Sequence, residues 1–267
     1  MIFFDIETGP QDGVLESRFA PGNEAYDHRP FDPASVKRLK KDTDASYQDR
    51  VQVADGVYVL KAAEKAGKHH LDSQKKREEF LDSCCLFAHL GRVLVIGVMQ
   101  GNDFQTIEGD EREILQKFWD LFRESSNRAK EMVGHNILGF DLPFMVRRSW
   151  SLGVKVPTDV VTVKGRYVNW HPLFQDTATL WLLGQYARDT KWSLDAVGYA
   201  LGSGGKIVEN VSGKGWWRTY QSNREQALAY LENDCRQTKQ IYTVMAPASK
   251  SELVEAQKQL AKAVLGV

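Results

Sequence analysis

Two acidic residues stand two positions apart near the start of the chain, in the stretch MIFFDIETGP. Asp5 and Glu7 follow an apolar run that is typical of a buried β-strand. Residues i and i+2 of a strand point to the same face, so both carboxylates would converge on one point. Two such acids repel each other unless a cation lies between them, and a hard divalent ion suits carboxylate ligands. Taken alone, the pair favours the simpler interpretation of two solvated acids that precede a turn at residues 8–10, because short acid pairs are common.

Two further stretches carry polar residues at spacings that place them together. In GHNILGFDLPFM, residues 134–145, Asn136 and Asp141 bracket a glycine-containing turn between a predicted strand and a predicted helix. In YLENDC, residues 230–235, Tyr230 and Asp234 are four apart and would share one face of a helix. Taken singly, Asp141 is compatible with a helix cap, and the other residues with ordinary turn or surface positions.

Taken together, FDIET, HNILGFD and YLEND resemble, in this order, the three exonuclease motifs of the DnaQ-like (DEDD) superfamily of 3′–5′ exonucleases. Ala229 stands where the histidine form of the third motif would have its His, so Tyr230 indicates the tyrosine subclass. The chain also resembles predicted exonucleases related to the proofreading domain of family-B DNA polymerases. That resemblance extends to FQDTATLWLLG and KWSLDAVGYALG, residues 174–184 and 191–202.

The resemblance implies a metal-dependent enzyme that hydrolyses phosphodiesters from the 3′ end of single-stranded DNA and releases nucleoside 5′-monophosphates. It implies two divalent cations, Mg²⁺ or Mn²⁺, about 4 Å apart. The acids expected to hold these ions are Asp5, Glu7, Asp141 and Asp234, and together with Tyr230 they form the expected catalytic set. An unperturbed phenol has a pKa of about 10, so Tyr230 is expected to orient the attacking water and not to deprotonate it. The residues expected to bind substrate are Ile6, Thr8 and Asn136.

Three alternatives remain open at this point. The same residues would serve a 3′–5′ exoribonuclease, because no residue declares how the 2′ position of the sugar is received. A non-catalytic nucleic-acid-binding module would keep the fold but would have no reason to keep four mutually repelling carboxylates. The third alternative, an endonuclease, is disfavoured by the pairing of Tyr230 with Asp234.

The expected partners are a single-stranded or frayed 3′ end of DNA and a polymerase, replication or repair protein.

Other residues have competing interpretations. Asp176 could be an outer-shell acid of the metal site but is more typical of a helix cap, and His135 is more typical of a packed or hydrogen-bonded histidine than of a metal ligand. Trp216 and Trp217 are compatible with base stacking and equally with core packing. The arginines and lysine that could contact phosphate are Arg147, Arg148, Lys164 and Arg166.

Apolar runs and helical periods alternate along most of the chain. The predicted strands are residues 1–5, 92–99, 102–108 and 131–135, and the predicted helices are residues 110–123, 141–150, 177–183, 193–201 and 223–246. Strands that alternate with helices predict an α/β fold. The resemblance refines this to a ribonuclease H-like mixed five-stranded sheet flanked by helices.

Residues 10–87 interrupt this alternation with a Pro- and Gly-containing segment followed by charged, helix-like sequence. A structureless loop of this length would be unusual, so we predict a partly helical insertion after the first strand. The predicted organisation is a core of residues 1–9 and 88–248, an insertion of residues 10–87 and a C-terminal helical tail of residues 249–267.

Composition excludes a few classes of protein. The formal net charge is zero, which argues against a histone-like binder but leaves room for a local basic groove. No run approaches the roughly 20 apolar residues that span a bilayer, and the start of the chain has no signal-peptide pattern. The three cysteines have no metal-ligand spacing, so we expect a reducing, cytoplasmic setting.

Overall fold

The computed structural model describes residues 1–21, 26–27, 29–183, 191–203 and 213–246. The chain divides into two compact units, one formed by Met1–Gly9 with Cys85–Val267 and the other by Pro10–Cys84. The predicted tail, residues 249–267, lies outside the described residues.

The first unit contains a five-stranded sheet in the order β3-β2-β1-β4-β7. Its strands are β1 (Ile2–Pro10), β2 (Gly91–Gln100), β3 (Asp103–Glu108), β4 (Met132–Gly134) and β7 (Phe174–Asp176), and a separate hairpin comprises β5 (Val161–Lys164) and β6 (Tyr167–Trp170). Strands β1, β4 and β7 run parallel, whereas β2 and β3 form an antiparallel pair. The sheet is therefore mixed, as predicted.

Helices cover both faces of this sheet. They are α2 (Glu111–Asn127), α3 (Asp141–Leu152), α4 (Thr177–Trp181), α5 (Leu194–Ala200), α6 (Trp216–Ser222) and α7 (Arg224–Met245). The second unit contains α1 (Asp44–Cys84). The structure confirms the predicted α/β class and the predicted five-stranded mixed sheet flanked by helices.

The alternation of side chains along β1 sends its residues into two different cores. Even-numbered residues, among them Phe4, pack with α2 and α3 in the larger core. Phe3, on the opposite face, packs against Cys235 and Tyr242 of α7. Because successive strand residues alternate, the odd-numbered Asp5 and Glu7 lie on the α7 face. The two-residue period of a strand thus decides which helix faces the acids.

The strand β1 is longer than the sequence predicts. We expected a turn at residues 8–10, but the extended conformation continues to Pro10, and Asp5 and Glu7 lie inside the strand instead of following it. Gly9 packs so closely that an added Cβ would lie 2.6 Å from Leu94 Cδ1 and 3.3 Å from Trp217 Cβ. These long-range contacts favour the extended conformation over the turn that the local residue types suggest.

The sequence missed three elements, namely the β5–β6 hairpin, the three-residue strand β7 and helix α6. A backbone hydrogen bond from His171 to Val160 closes the base of the hairpin, which adjoins the N-terminal end of β7. Since β4 and β7 are parallel, this end lies opposite the edge at which α3 and α4 begin.

The second unit is dominated by the 41-residue helix α1. Thr43 Oγ1 accepts a hydrogen bond from the Ser46 N–H, which satisfies one free donor of the first turn. The Tyr58 hydroxyl donates to the carbonyl oxygen of Arg29, and Arg50 forms an ion pair with Asp42. Long-range contacts of this kind fold the segment preceding α1 onto the helix.

In the described part of the chain, no helix combines the length and the apolar content that crossing a bilayer would require.

Candidate active site

Strand β1 and helix α7 together position the acids of the first and third motifs. The side chain of Asn223 caps α7 by accepting a hydrogen bond from the Gln226 N–H, as predicted. This cap fixes the start of the helix, and Tyr230 and Asp234 follow on one of its faces, four residues apart. That face packs on the side of the sheet to which Asp5 points.

Asp5, Glu7 and Asp234 form one cluster. Each contributes a carboxylate oxygen, and these oxygens all lie within 4.8 Å of one another. Glu7 is buried and Asp5 and Asp234 are half-buried, so three carboxylates at this separation repel one another more strongly than they would in bulk water. Oxygen-only donor sets of this kind suit hard divalent cations such as Mg²⁺ and Mn²⁺. The donor chemistry therefore fits a divalent ion.

Asp141, the first residue of α3, is buried beside this cluster. Its Oδ1 accepts a hydrogen bond from the Ile6 N–H at 3.2 Å, and its carboxyl group hydrogen-bonds that of Asp5. Burial raises the pKa of Asp5 well above its ordinary value, and the charges of Asp141 and Asp234 raise it further. Burial likewise raises the pKa of Asp141. Two adjacent carboxyls in this state share a proton when no cation balances them.

Tyr230 lies against the acids with its hydroxyl hydrogen-bonded to Asp234. Burial raises the pKa of Tyr230, and the nearby charges of Asp234, Glu7 and Asp5 raise it further. The phenol therefore keeps its proton and acts as a hydrogen-bond donor. A tyrosinate in this position would add a fourth negative group to the cluster.

The turn between β4 and α3 is held by Asp176, which the sequence indicated mainly as a helix cap. Asp176 does cap α4, because its Oδ1 accepts hydrogen bonds from Ala178 N and Thr179 N. The same carboxylate also accepts from Asn136 N and Leu138 N, each at 2.9 Å. Asp176 thus ties the second motif to β7 and α4. No local pattern around Asp176 signals these two extra bonds.

Asn136 adopts a left-handed backbone conformation with φ of 60°. A Cβ added at Gly139 would lie 2.4 Å from Asn136 Oδ1, so the turn needs a glycine at that position to accommodate this side chain. The side chain of Asn136 therefore packs inside the turn that precedes Asp141.

The two remaining residues expected to bind substrate are both buried. The side chain of Ile6 packs in the larger core, and its backbone N–H donates to Asp141. Thr8 Oγ1 donates to the carbonyl oxygen of Cys85 at 2.7 Å. Both residues therefore support neighbours of the acids, while their side chains have little exposed surface.

Several other candidates from the sequence have structural partners away from the acids. Arg148 is buried and forms an ion pair with Glu111 at 2.6 Å, so it is not presented to a phosphate. Trp216 is fully buried, stacks on Tyr220 and donates from Nε1 to the carbonyl of Ala227. The buried indole belongs to the core, in agreement with the packing alternative.

Two more candidates are placed by their contacts or their element. His135 is hydrogen-bonded as predicted, through Nδ1 to Thr177 Oγ1 at 2.8 Å and through Nε2 to the carbonyl oxygen of Trp192 at 2.7 Å. Lys164 and Arg166 flank the turn of the β5–β6 hairpin, whose base lies at the edge of the sheet away from the start of α3.

The chain matches a model of a known protein family. The model of a family described as predicted 3′–5′ exonucleases related to the exonuclease domain of PolB matches residues 81–264, which is well over half of the chain. The chain belongs to this family. The matched range contains Asp141, Tyr230 and Asp234, and β1 with Asp5 and Glu7 precedes it. The protein therefore belongs to a family of enzymes, the predicted 3′–5′ exonucleases.

Among solved structures, the chain is similar to the family B DNA polymerase from the hyperthermophilic archaeon Pyrobaculum calidifontis. The two are 19% identical over 58% of this chain and 21% of the polymerase chain, with a TM-score of 0.49. This chain thus spans about a fifth of the length of that polymerase. The chain matches none of the curated proteins with which it was compared.

Proposed function

We propose that this protein is a divalent-cation-dependent exonuclease that removes nucleotides one at a time from the 3′ end of single-stranded DNA. The products would be nucleoside 5′-monophosphates. The observation that carries the proposal is the convergence of Asp5, Glu7 and Asp234 within 4.8 Å, beside Tyr230, in a chain of the exonuclease family.

We assign the cation ligands from this cluster. Asp5, Glu7 and Asp234 would hold one divalent ion, and Asp141, in contact with Asp5, would help Asp5 to hold a second. Bound Mg²⁺ or Mn²⁺ would supply electrostatic stabilisation of the phosphodiester and a lower pKa for the attacking water. The acids would hold these ions at one point because β1 and α7 pack in a common core, in which Phe3 contacts Cys235 and Tyr242.

Tyr230 would position the attacking water. Tyr230 precedes Asp234 by one helical turn, its hydroxyl is hydrogen-bonded to the Asp234 carboxylate, and its raised pKa keeps the proton available for donation. A donor fixed by a packed helix restricts the orientation of the water without changing its charge. Tyr230 therefore serves as an orienting group in this proposal. Because its phenol keeps the proton at neutral pH, Tyr230 does not act as a general base.

DNA is the favoured substrate because the family is related to the exonuclease domain of a DNA polymerase. A terminal nucleotide has to leave a duplex before its phosphate can approach buried acids, so single-stranded or frayed 3′ ends are the expected form. A polymerase or repair protein would be a natural partner for such an activity.

The polarity and the substrate class can be tested together. Linear single-stranded DNA labelled at its 5′ end should give a ladder that shortens from the 3′ end in the presence of Mg²⁺ or Mn²⁺. The same DNA labelled at its 3′ end should release labelled mononucleotide at once, and circular single-stranded DNA should survive. Cleavage of the circle would contradict an exonuclease, and digestion of matched RNA in preference to DNA would replace the assigned substrate by RNA.

A further inference from the structure

A small group of exposed residues beside β1 has no part in the catalytic arrangement described above. Leu86, Phe87, His89 and Arg147, with Ala88 and Ser151, line a surface depression of about 240 Å³. We refer to these residues as the Phe87 patch. Leu86 and Phe87 are 44% and 48% exposed, and the Phe87 ring lies 5.8 Å from that of His89, centroid to centroid.

The Phe87 patch is attached directly to the catalytic strand. Thr8, the residue after Glu7, donates its hydroxyl to the carbonyl oxygen of Cys85, and Leu86 follows Cys85 in the chain. One hydrogen bond and two peptide links therefore separate a proposed cation ligand from Leu86. The patch therefore adjoins β1, and its Arg147 lies on α3, the helix that begins with Asp141.

The backbone of the loop is held at several points. The carbonyl oxygen of Phe87 accepts hydrogen bonds from Leu90 N and Gly91 N at 2.8 and 2.7 Å. The carbonyl oxygen of Ala88 accepts from Arg148 Nη1, whose guanidinium is in turn fixed by the buried pair with Glu111. The loop thus presents two large apolar side chains, adjacent in the chain, to solvent from a fixed backbone. Contiguous exposed apolar patches often mark interaction sites.

The chemistry of the lining fits a single strand of nucleic acid. Phe87, Leu86 and His89 offer apolar and aromatic surface on which a base can stack. Arg147, on the next helix, adds an exposed cation, and no carboxylate lines the depression. The depression is smaller than the 300–1,000 Å³ typical of small-molecule sites, as expected of a platform that contacts one face of a base.

We infer that the Phe87 patch is a binding subsite for the nucleotides immediately 5′ of the one being released. A base stacks on Phe87 and Leu86, and Arg147 contacts a backbone phosphate. The inference rests on the proposed exonuclease function for the direction of the strand. It adds the prediction that the enzyme recognises at least one nucleotide beyond the scissile phosphate through stacking, without regard to base identity.

Binding can be tested without turnover. Fluorescence anisotropy of a 5′-fluorescein dodecathymidylate, in EDTA and low salt, should show about tenfold weaker binding to Phe87→Ala, equivalent to about 1.4 kcal/mol. Tyr167→Ala is the matched control, because Tyr167 is an aromatic residue that is 72% exposed on the β5–β6 hairpin. Unchanged affinity of Phe87→Ala, or equal loss in Tyr167→Ala, would overturn the subsite.

Arg147 can be tested by the salt dependence of the same binding. The plot of log affinity against log salt concentration has a negative slope, and loss of one phosphate contact reduces the magnitude of this slope by about 0.7 for a single strand. Arg147→Gln should show this change, and Arg147→Lys should restore the slope. A slope unaffected by Arg147→Gln would remove Arg147 from the subsite.

Kinetics separate failure of this inference from failure of the proposed function. The p-nitrophenyl ester of thymidine 5′-monophosphate carries no upstream nucleotide, so Phe87→Ala should hydrolyse it at the wild-type rate while KM for dodecathymidylate rises about tenfold. Equal effects on both substrates would contradict the subsite. Hydrolysis of neither substrate by the wild type would contradict the proposed exonuclease and leave the binding comparison as an independent test.

The patch could instead be covered by a second copy of the chain. Sedimentation of the wild type and of Phe87→Ala over a range of concentrations tests this directly. A single monomeric mass for both proteins is expected. A dimer that only Phe87→Ala abolishes would show that the patch is a contact between copies and would overturn the assignment to nucleic acid.

Discussion

The carboxylate of Asp176 accepts a hydrogen bond from the backbone N–H of Asn136 at 2.9 Å, so the end of β7 holds the turn that delivers Asp141. Asp176 Oδ2 accepts a second bond from the N–H of Leu138. A buried acid with four backbone donors is fully satisfied, and the turn it holds has little freedom. The position of one catalytic acid thus depends on a residue outside all three motifs.

Replacement of Asp176 tests this dependence. Asp176→Asn replaces one acceptor oxygen by an NH₂ group and should leave backbone donors of the turn or of α4 without a partner. We expect the free energy of unfolding to fall by about 1–3 kcal/mol and activity on the p-nitrophenyl ester of thymidine 5′-monophosphate to fall with it, measured under conditions in which the variant is fully folded.

Asp110→Asn is the matched control, because Asp110 caps α2 through Arg112 N and has no contact with the second motif. It should lose some stability and keep its specific activity. If Asp176→Asn were as active as Asp110→Asn, the turn would not need Asp176 for catalysis.

Removal of one acid from the cluster should separate stability from activity. Asp234→Asn relieves repulsion among Asp5, Glu7 and Asp234, so in EDTA its unfolding temperature should equal or exceed that of the wild type. Its turnover should fall on the order of 10³-fold, which corresponds to several kcal/mol of lost stabilisation. The rise in unfolding temperature that Mg²⁺ or Mn²⁺ gives the wild type should be strongly reduced.

Glu232→Gln provides the control on the same helix, since Glu232 pairs with Arg236 at the surface. It should keep both the activity and the stabilisation by the metal ion. A destabilised Asp234→Asn in EDTA would show that Asp234 has a structural partner that outweighs the repulsion.

Replacement of Tyr230 by Phe removes a hydroxyl that is hydrogen-bonded to Asp234 and leaves all four acids in the chain. Tyr230→Phe should lower turnover by roughly 10–100-fold, because the attacking water loses an orienting donor. Stabilisation by Mg²⁺ or Mn²⁺, followed by thermal unfolding, should remain. Tyr242→Phe is the control, because Tyr242 lies on the same helix and donates to Glu131 Oε2 instead. Equal turnover of Tyr230→Phe and the wild type would exclude an orienting role.

Stability against acid should depend on the contact that β3 makes with α6 and α7. Tyr220 and Arg224 donate hydrogen bonds to Glu108. Partial burial works to raise the pKa of Glu108, but the hydrogen bonds from Thr106, Tyr220 and Arg224 and the charge of Arg224 outweigh it and lower the pKa. A lowered folded-state pKa means that this contribution is fully present above the unfolded-state value of about 4.3 and is lost as pH falls through the folded-state value.

Urea unfolding of Glu108→Gln at several pH values measures this contribution. The variant should be less stable than the wild type by at least about 1 kcal/mol at pH 7, and the gap should close as pH falls below about 4. Glu124→Gln, which removes an exposed pair with Arg128, should change stability by less than about 0.5 kcal/mol at any pH. A gap that widens in acid would contradict the lowered pKa of Glu108.

The sequence predicted the elements that carry strong local signals. Helix α7 has its cap at Asn223 and its periodic face, and the turn before α3 has its motif residues, so both could be located without a structure. The extension of β1 could not, because Gly9 is kept extended by packing against Leu94 and Trp217, which are remote in sequence. The three residues of β7 are too few to show a two-residue period.

The residues of the site likewise differ in whether local spacing or only tertiary contacts determine their position. The spacing of Asp5 with Glu7 and of Tyr230 with Asp234 predicted which side chains share a face, and the structure brings the three acids together. The second role of Asp176 depends on the β4–β7 pairing, and the ion pair of Arg148 with Glu111 joins two helices. Neither is visible in a local pattern, because each is a tertiary contact.

The measurement that tests the central claim most directly is a digest of 5′-labelled single-stranded DNA with Mg²⁺ or Mn²⁺, in which wild type and Asp5→Ala are compared, with an EDTA control. Asp5 lies in contact with Asp141 and within the cluster formed with Glu7 and Asp234, so its loss should remove the ladder while the protein stays folded. A ladder that shortens from the 3′ end in the wild type, and disappears with EDTA and in Asp5→Ala, is the predicted result. Equal digestion by wild type and Asp5→Ala would contradict the assignment of this site.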